Sequence, residues 1–271
     1  MRTKLLITLT GALLGACAAS SPSPAPPERS PGAPSSTSAM ASVAPPSSAA
    51  DAVAPADPTC GPGQHPDQGK CVADAAAPVA PCGSGMALVT GGFYAYGQKK
   101  DPTRVDSFCM DVNETTAEGY AACVKAGKCS DKELKCAAQA TYGVDELKTH
   151  PMVCVDFEQS EAYCTFAGKR LPTDEEWEWA ARGGAKATKF PWGDEAPKDQ
   201  LCWAGAGPQK GTCAVGSFKT GANPQGILDL AGGVFEFTTT KNDTKSPTRV
   251  GRGGSWRDGT ADAFRANRVG G

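Results

Sequence analysis

Gly168-Lys169-Arg170-Leu171-Pro172-Thr173-Asp174-Glu175-Glu176-Trp177-Glu178-Trp179-Ala180-Ala181-Arg182-Gly183-Gly184 contains a helix with both of its ends marked in the residues. Thr173 is placed to cap it, and Glu176, three residues on, completes a capping box; the acids of the first turn suit the positive helix end. Trp177, Ala180 and Ala181 share one face, and the paired glycines stop the helix. On either side the same reasoning predicts two more helices. One covers about 157 to 167, with Ala162, Tyr163 and Phe166 on one side, and one covers Ala117 to Lys125, capped by Thr116 and burying Tyr120 and Val124. The rest of residues 82–271 reads as short strands and long turns, in a segment long enough for one sizeable core.

The chain before this domain has a different character. Met1-Arg2-Thr3-Lys4 is a positive start, and Leu5 to Ala16 is apolar but broken by Thr8, Thr10 and glycines, so residues 1–16 read as a signal peptide too short to span a bilayer. Leu14-Gly15-Ala16-Cys17 is similar to the lipobox of bacterial lipoproteins, which makes Cys17 the expected lipidation site and a membrane surface the expected partner. Ala18, in place of a retention aspartate, favours the outer membrane. Residues 17–59 are dominated by Ala, Pro and Ser and are expected to form a disordered stalk, on the order of 40 Å on average and about 130 Å when drawn out. Residues 60–81 read as a small cysteine loop and linker. A net charge of −2 argues against a phosphate-binding domain, which needs a basic stripe, so nucleic acid is not an expected partner.

Twelve cysteines in an exported chain imply disulfides. Cys60 and Cys71 flank a Gly/Pro-rich loop and are expected to pair, as are Cys202 and Cys213 around a second such loop. Setting Cys17 aside leaves an odd number, so one thiol is expected to be free or to lack its partner. Connectivity among Cys82, Cys109, Cys123, Cys129, Cys136, Cys154 and Cys164 cannot be read from spacing. No Cys-x-x-Cys occurs, which places zinc well behind disulfides.

Several segments, in their order, resemble the formylglycine-generating (sulfatase-modifying-factor) family: Met86-Ala87-Leu88-Val89-Thr90-Gly91-Gly92-Phe93; Phe108-Cys109-Met110-Asp111-Val112-Asn113-Glu114-Thr115-Thr116; Gly168 to Gly183; Phe190-Pro191-Trp192-Gly193; and Arg252-Gly253-Gly254-Ser255-Trp256. The resemblance covers nearly all of 82–268. It implies an α+β fold, a C-type-lectin-related domain with little regular secondary structure. It also implies a closing Gly-Phe-Arg strand, often followed by cysteine, which the sequence as written does not contain after Arg265. On that basis an unpaired sheet edge is expected, with Cys109 or Cys82 as the orphan thiol. Apart from the resemblance, Trp177, Trp192, Trp203 and Trp256 read as core and turn anchors, and Arg170, Glu176 and Arg182 as a structural ion-pair network.

The chemistry that the resemblance implies is a copper site made by two thiolates just after the Arg-Gly-Gly-Ser-aromatic segment. Here that segment continues as Arg257-Asp258-Gly259-Thr260-Ala261-Asp262-Ala263-Phe264, with no cysteine, so copper is not expected. The family's calcium-supporting Gly-Asn-Val-Trp-Glu-Trp segment corresponds to Gly232-Gly233-Val234-Phe235-Glu236-Phe237. That leaves Glu236, with Asp229, as the candidate metal ligands of a weakened structural calcium site. With His65 and His150 the only histidines, a multi-histidine iron site cannot be built within the chain, and His150, alone in the domain and without a Gly-x-Ser-x-Gly elbow, argues against a Ser-His-Asp hydrolase. The sequence therefore points to a cell-envelope lipoprotein displaying a non-catalytic domain that binds an envelope protein, glycan or peptidoglycan, with Arg257, Asp258, Asp262, Arg265 and Arg268 as candidate binding residues. The alternatives are an oxidase of the formylglycine-generating type using a divergent site, perhaps around Cys202, Cys213 or the odd thiol, and the relic of a truncated gene.

Overall fold

The computed structural model describes residues 17–20, 64–67, 70–73, 81–134, 140–207, 209–243 and 248–269. In chain order its strands and helices are β1 (Ala18–Ser20), β2 (Gln64–Asp67), β3 (Lys70–Ala73), β4 (Met86–Val89), β5 (Gly92–Tyr96), β6 (Asp101–Val105), β7 (Phe108–Asp111), α1 (Ala117–Lys125), α2 (Phe157–Phe166), α3 (Asp174–Ala181), β8 (Glu236–Lys241) and β9 (Arg249–Arg252). All sheet pairings are antiparallel. One sheet runs β1-β7-β4, while β2-β3, β5-β6 and β8-β9 are two-stranded ribbons. Isolated ribbons of this kind are marginal in water, so their stability comes from what packs on them.

The three helices lie where the sequence places them. Thr173 caps α3 and Glu176 closes the capping box; Thr116 caps α1 by accepting the Gly119 amide at 3.0 Å. In α3, Trp177, Ala180 and Ala181 are buried together with Trp179, which donates its indole N–H to the Thr90 carbonyl at 2.8 Å. The main core gathers Val89, Tyr94, Val105, Phe108 and Met110 from the strands against these residues and Ile227 and Leu230. α2 buries Ser160 and Cys164, the latter bonded to Cys17, while Phe166 at its end is 41% exposed.

At the centre of the fold sits Arg252, with no exposed surface. Its guanidinium grips Asp174 through both Nε and Nη2, the latter at 2.5 Å, and reaches Glu178 at 3.2 Å. Nη1 donates to the carbonyls of Ala266 and Arg268 at 3.1 and 3.2 Å, and the group lies over Trp177. Asp174 also accepts from the Tyr96 hydroxyl, and Glu178 accepts the Gly97 amide at 2.8 Å and Arg182 at 3.1 Å. The expected network of Arg170, Glu176 and Arg182 thus divides in two. Arg170 holds Glu176 in a two-point pair at 2.7 and 2.6 Å near the surface, whereas Arg182 joins the buried cluster through Glu178.

Within the stretch expected to form a stalk, Ala18–Ser20 pairs as a strand with β7. Ala18 pairs with Met110, Ala19 with Cys109 and Ser20 with Phe108, while the main chain of Ala18 exchanges hydrogen bonds of 2.6 and 2.8 Å with Arg170 on its other side. β7 is thereby paired on both sides, by β1 and β4. Cys17 is bonded to Cys164, across 147 residues of sequence, and both are fully buried. In this form the Cys17 sulfur, the expected lipidation site, is held in a disulfide. Cys82 and Cys109, expected to hold an orphan, are bonded to each other; Cys123 is bonded to Cys129 and Cys202 to Cys213. Cys71 and Cys154 are disulfide-bonded as well, and no cysteine among the described residues is free. Cys17, set aside in the count, is therefore among the bonded cysteines. Residues 1–16, the rest of the stalk, Cys60 and Cys136 lie outside the described residues.

Two stability outcomes follow. Arg252→Ala takes the buried cation from Asp174, which keeps only neutral donors such as the Tyr96 hydroxyl, and leaves Glu178 with Arg182 and the Gly97 amide; it is expected to cost about 3–5 kcal/mol in urea unfolding. Cys17→Ser removes the longest disulfide loop, and in the chain-entropy account is expected to cost about 2–5 kcal/mol; peptide mapping without reduction should recover Cys17 joined to Cys164 in the wild type.

Candidate functional site

The segment after Trp256 is a closed turn. Asp258 accepts the amide and the hydroxyl of Ser255 at 2.8 and 2.9 Å, and its carbonyl accepts the Ala204 amide at 3.1 Å. Below the turn, Phe264 packs edge-on against Trp203, and Gly254, with φ +76°, approaches the Phe264 ring so closely that a Cβ would lie 2.8 Å from it. The turn is tied back to the Gly232-Gly233 loop by the Trp256 amide, which donates to the Gly233 carbonyl at 2.8 Å. No thiol enters this arrangement, since Cys202, whose carbonyl accepts the Gly233 amide at 3.0 Å, is bonded to Cys213. This removes Cys202 and Cys213 as thiolates of a divergent oxidase site.

The candidate binding residues separate into two kinds. Asp258 is a structural part of the turn. Arg257, Asp262, Arg265 and Arg268 are exposed; Arg257 lies over the Trp256 ring at 4.9 Å, and Arg265 pairs with Asp262 at 2.7 Å in solvent, a contact of small energetic weight. Two hollows in the surface lie elsewhere. One of about 670 Å³ is lined by Lys128, Glu158, Glu161, Phe166, Arg170 and Thr239, and one of about 360 Å³ by Arg104, Asp106, Glu175 and Glu176 among others. None of the candidate binding residues lines either.

Beneath the Gly232-Gly233 loop lies a buried acidic group that sequence reasoning saw only in part. Glu114, 5% exposed, accepts the Val234 amide at 3.1 Å. Burial, and after it the charges of Asp229 and Glu236, push its pKa well above the ordinary carboxyl value. Asp229, at φ +60°, accepts the Gly216 amide at 2.6 Å; burial raises its pKa against the pull of that amide and Lys219. Glu236 is 1% exposed on β8. Glu114 was within a motif, Asp111 to Thr116, but nothing in the sequence shows that it folds beneath residue 233.

These residues do not fit a carboxylate-bound calcium ion. Gly233 supplies no side-chain oxygen, and with φ +58° a Cβ on it would lie 2.7 Å from the Glu114 carboxyl. Asp229 is engaged by Gly216, and among the described residues no three His, Cys, Asp or Glu side chains converge to hold a metal. Asp229 and Glu236 instead lie close enough to Glu114 for their charges to add to the effect of burial in raising its pKa. Because that pKa is raised, Glu114's contribution to stability is full below its ordinary value near 4.5 and is lost as pH rises through the folded value. Glu114→Gln keeps the acceptor for Val234 without the charge. It is expected to flatten the fall of Tm with pH above about 5, with a gain on the order of 1 kcal/mol at alkaline pH.

Residues 74–270 match the family described as sulfatase-modifying factor enzyme 1-like domain. The chain is 39% identical over 137 residues to the inactive C-alpha-formylglycine-generating enzyme 2 of Bos taurus, covering 47% of this chain and 45% of that protein. It is 45% identical over 104 residues to the formylglycine-generating enzyme of Mycobacterium tuberculosis, covering 34% of each. It therefore spans less than half the length of these relatives. Among solved structures it is similar to Treponema denticola variable protein 1, with a TM-score of 0.52 at 20% identity over 68% of this chain and 88% of that one. That likeness supports the irregular α+β fold.

Proposed function

We propose that this chain, which belongs to the sulfatase-modifying factor enzyme 1-like domain family, is a non-catalytic, disulfide-stapled binding module of the cell envelope. The observation that carries this reading is the turn after Trp256: it is closed by Asp258, contains no cysteine, and has only disulfide-bonded sulfur beside it. Copper chemistry of the formylglycine-generating kind needs thiolate ligands, and none is available in that arrangement. Similarity to a relative named as an inactive enzyme agrees with this, as does the use of Asp258 and Phe264 to hold the turn's shape.

Export is supported by the signal-like start of the sequence and by the disulfides, which persist in oxidising compartments. Attachment to the outer membrane through a lipid on Cys17 belongs to this reading only for molecules in which Cys17 is not bonded to Cys164. The binding surface proposed is the exposed stretch carrying Arg257, Asp262, Arg265 and Arg268, facing an envelope protein, glycan or peptidoglycan.

The deciding measurement is thiol titration of the full chain under denaturing, non-reducing conditions, alongside metal analysis after loading with Cu(I). Fewer than one thiol per chain and no stoichiometric copper is the expected result. Two thiols with one tightly held copper would overturn the reading and restore the oxidase. The full chain is required, because a fragment without residue 17 would expose Cys164 as an artificial thiol.

A further inference from the structure

α2 has two faces, and only one of them belongs to the interior. Ser160 and Cys164 are buried, whereas Glu158, Glu161, Ala162, Thr165 and Phe166 form one stripe of the helix at i, i+3, i+4, i+7 and i+8 and line the hollow of about 670 Å³. The remaining wall includes Lys128, Arg170 and Thr239. Lys128 sits in the loop that the Cys123–Cys129 bond closes, and the turn that follows is tied to α2 by Gln159, whose side-chain amide donates to the Lys132 carbonyl at 2.9 Å. The wall is therefore held in place. Arg170 is engaged by Glu176, but Glu158, Glu161 and Lys128 are exposed and none of the three makes an ion pair among the described residues. Charges of both signs thus line one concave surface without neutralising each other, and Phe166, 41% exposed, lies among them.

We infer that this hollow is a binding site for a short peptide carrying a side-chain ammonium and a free C-terminal carboxylate. Glu158 and Glu161 are one helical turn apart, with Cβ atoms about 5–6 Å from each other, so a single ammonium between them meets both carboxylates. Lys128 is the free cation for the peptide carboxylate. Between the two poles, Ala162 and the Phe166 ring offer apolar surface to methyl groups and to the methylene stem of the cationic side chain. The size agrees: the α2 stripe from Glu158 to Phe166 rises about 12 Å, the reach of three or four extended residues at about 3.5 Å each. A hollow of this volume is within the range of roughly 300–1,000 Å³ that small-ligand sites occupy. An uncharged glycan would leave all three charges unanswered, and an anionic one would face the two glutamates. The required chemistry is found in free peptides and in the peptide stems of peptidoglycan. This site does not rest on the reading above, since none of Arg257, Asp262, Arg265 and Arg268 lines it.

The test is calorimetric titration of the full chain with the peptide Ala-Ala-Lys. One peptide per chain with a Kd below about 1 mM is the expected result, weakened about tenfold when lysine is replaced by norleucine and about fivefold when the carboxylate is made an amide. These peptide changes probe the wild-type chain, so no variant has to fold for the answer to count. In the double variant Glu158→Gln/Glu161→Gln the lysine and norleucine peptides should bind alike, and in Lys128→Ala the acid and the amide should bind alike, whereas Glu146→Gln, on an exposed turn away from the hollow, should keep both differences. Absence of saturable binding by Ala-Ala-Lys, or differences that persist in the hollow's variants, would overturn the inference. A pelleting assay with purified peptidoglycan then separates the two sources. Co-pelleting released by excess Ala-Ala-Lys supports the site with a stem peptide as its ligand, and peptide binding without co-pelleting supports it with a free peptide.

Discussion

Most of this structure depends on one buried cation. Arg252 enters the core because two carboxylates of α3, Asp174 and Glu178, are already fixed there by the helix that Thr173 and Glu176 start. A guanidinium can satisfy several partners in one plane, which a lysine could not do. By holding α3 with Nε and Nη2 and the carbonyls of Ala266 and Arg268 with Nη1, Arg252 joins the helix, β9 and the last turns of the described chain. Tyr96 and Gly97 bring the β5-β6 ribbon to the same carboxylates. Short ribbons that would be marginal alone thereby share one anchor.

A second constraint comes from sulfur. The described domain has little regular secondary structure to order its long turns, and the disulfides restrict the unfolded chain in its place. Cys17–Cys164 differs from the others in tying a remote segment into the interior, so that the strand between β7 and Arg170 is completed by residues whose sequence reads as the start of a stalk. Family membership and the cysteine-free turn after Trp256 bear on chemistry, while this strand bears on how the fold is closed. These are separate matters, and the buried acid cluster under Gly233 is a third.

Much was legible in the residues. The α3 helix, its capping box and the glycines that end it follow from local rules, as do α1 with its Thr116 cap and the approximate span of α2. The ordered segments of the resemblance carried the fold class, and the absence of cysteine after Trp256 could be read directly. What was misread depended on partners far apart in the chain. Cys17 was set aside when the cysteines were counted, yet it is bonded to Cys164, 147 residues away. Glu114 reads as an ordinary polar residue before a helix, and only the loop carrying Gly233 and Val234 buries it.

By itself the sequence determined the three helices and the absence of cysteine from the segment after Trp256, because caps and residue types act locally. Only the tertiary structure decided which sulfurs meet, where Arg252 finds its carboxylates and which segment completes the β7 sheet. Those outcomes rest on distances between residues up to 147 apart in sequence, and no local pattern encodes a distance of that kind.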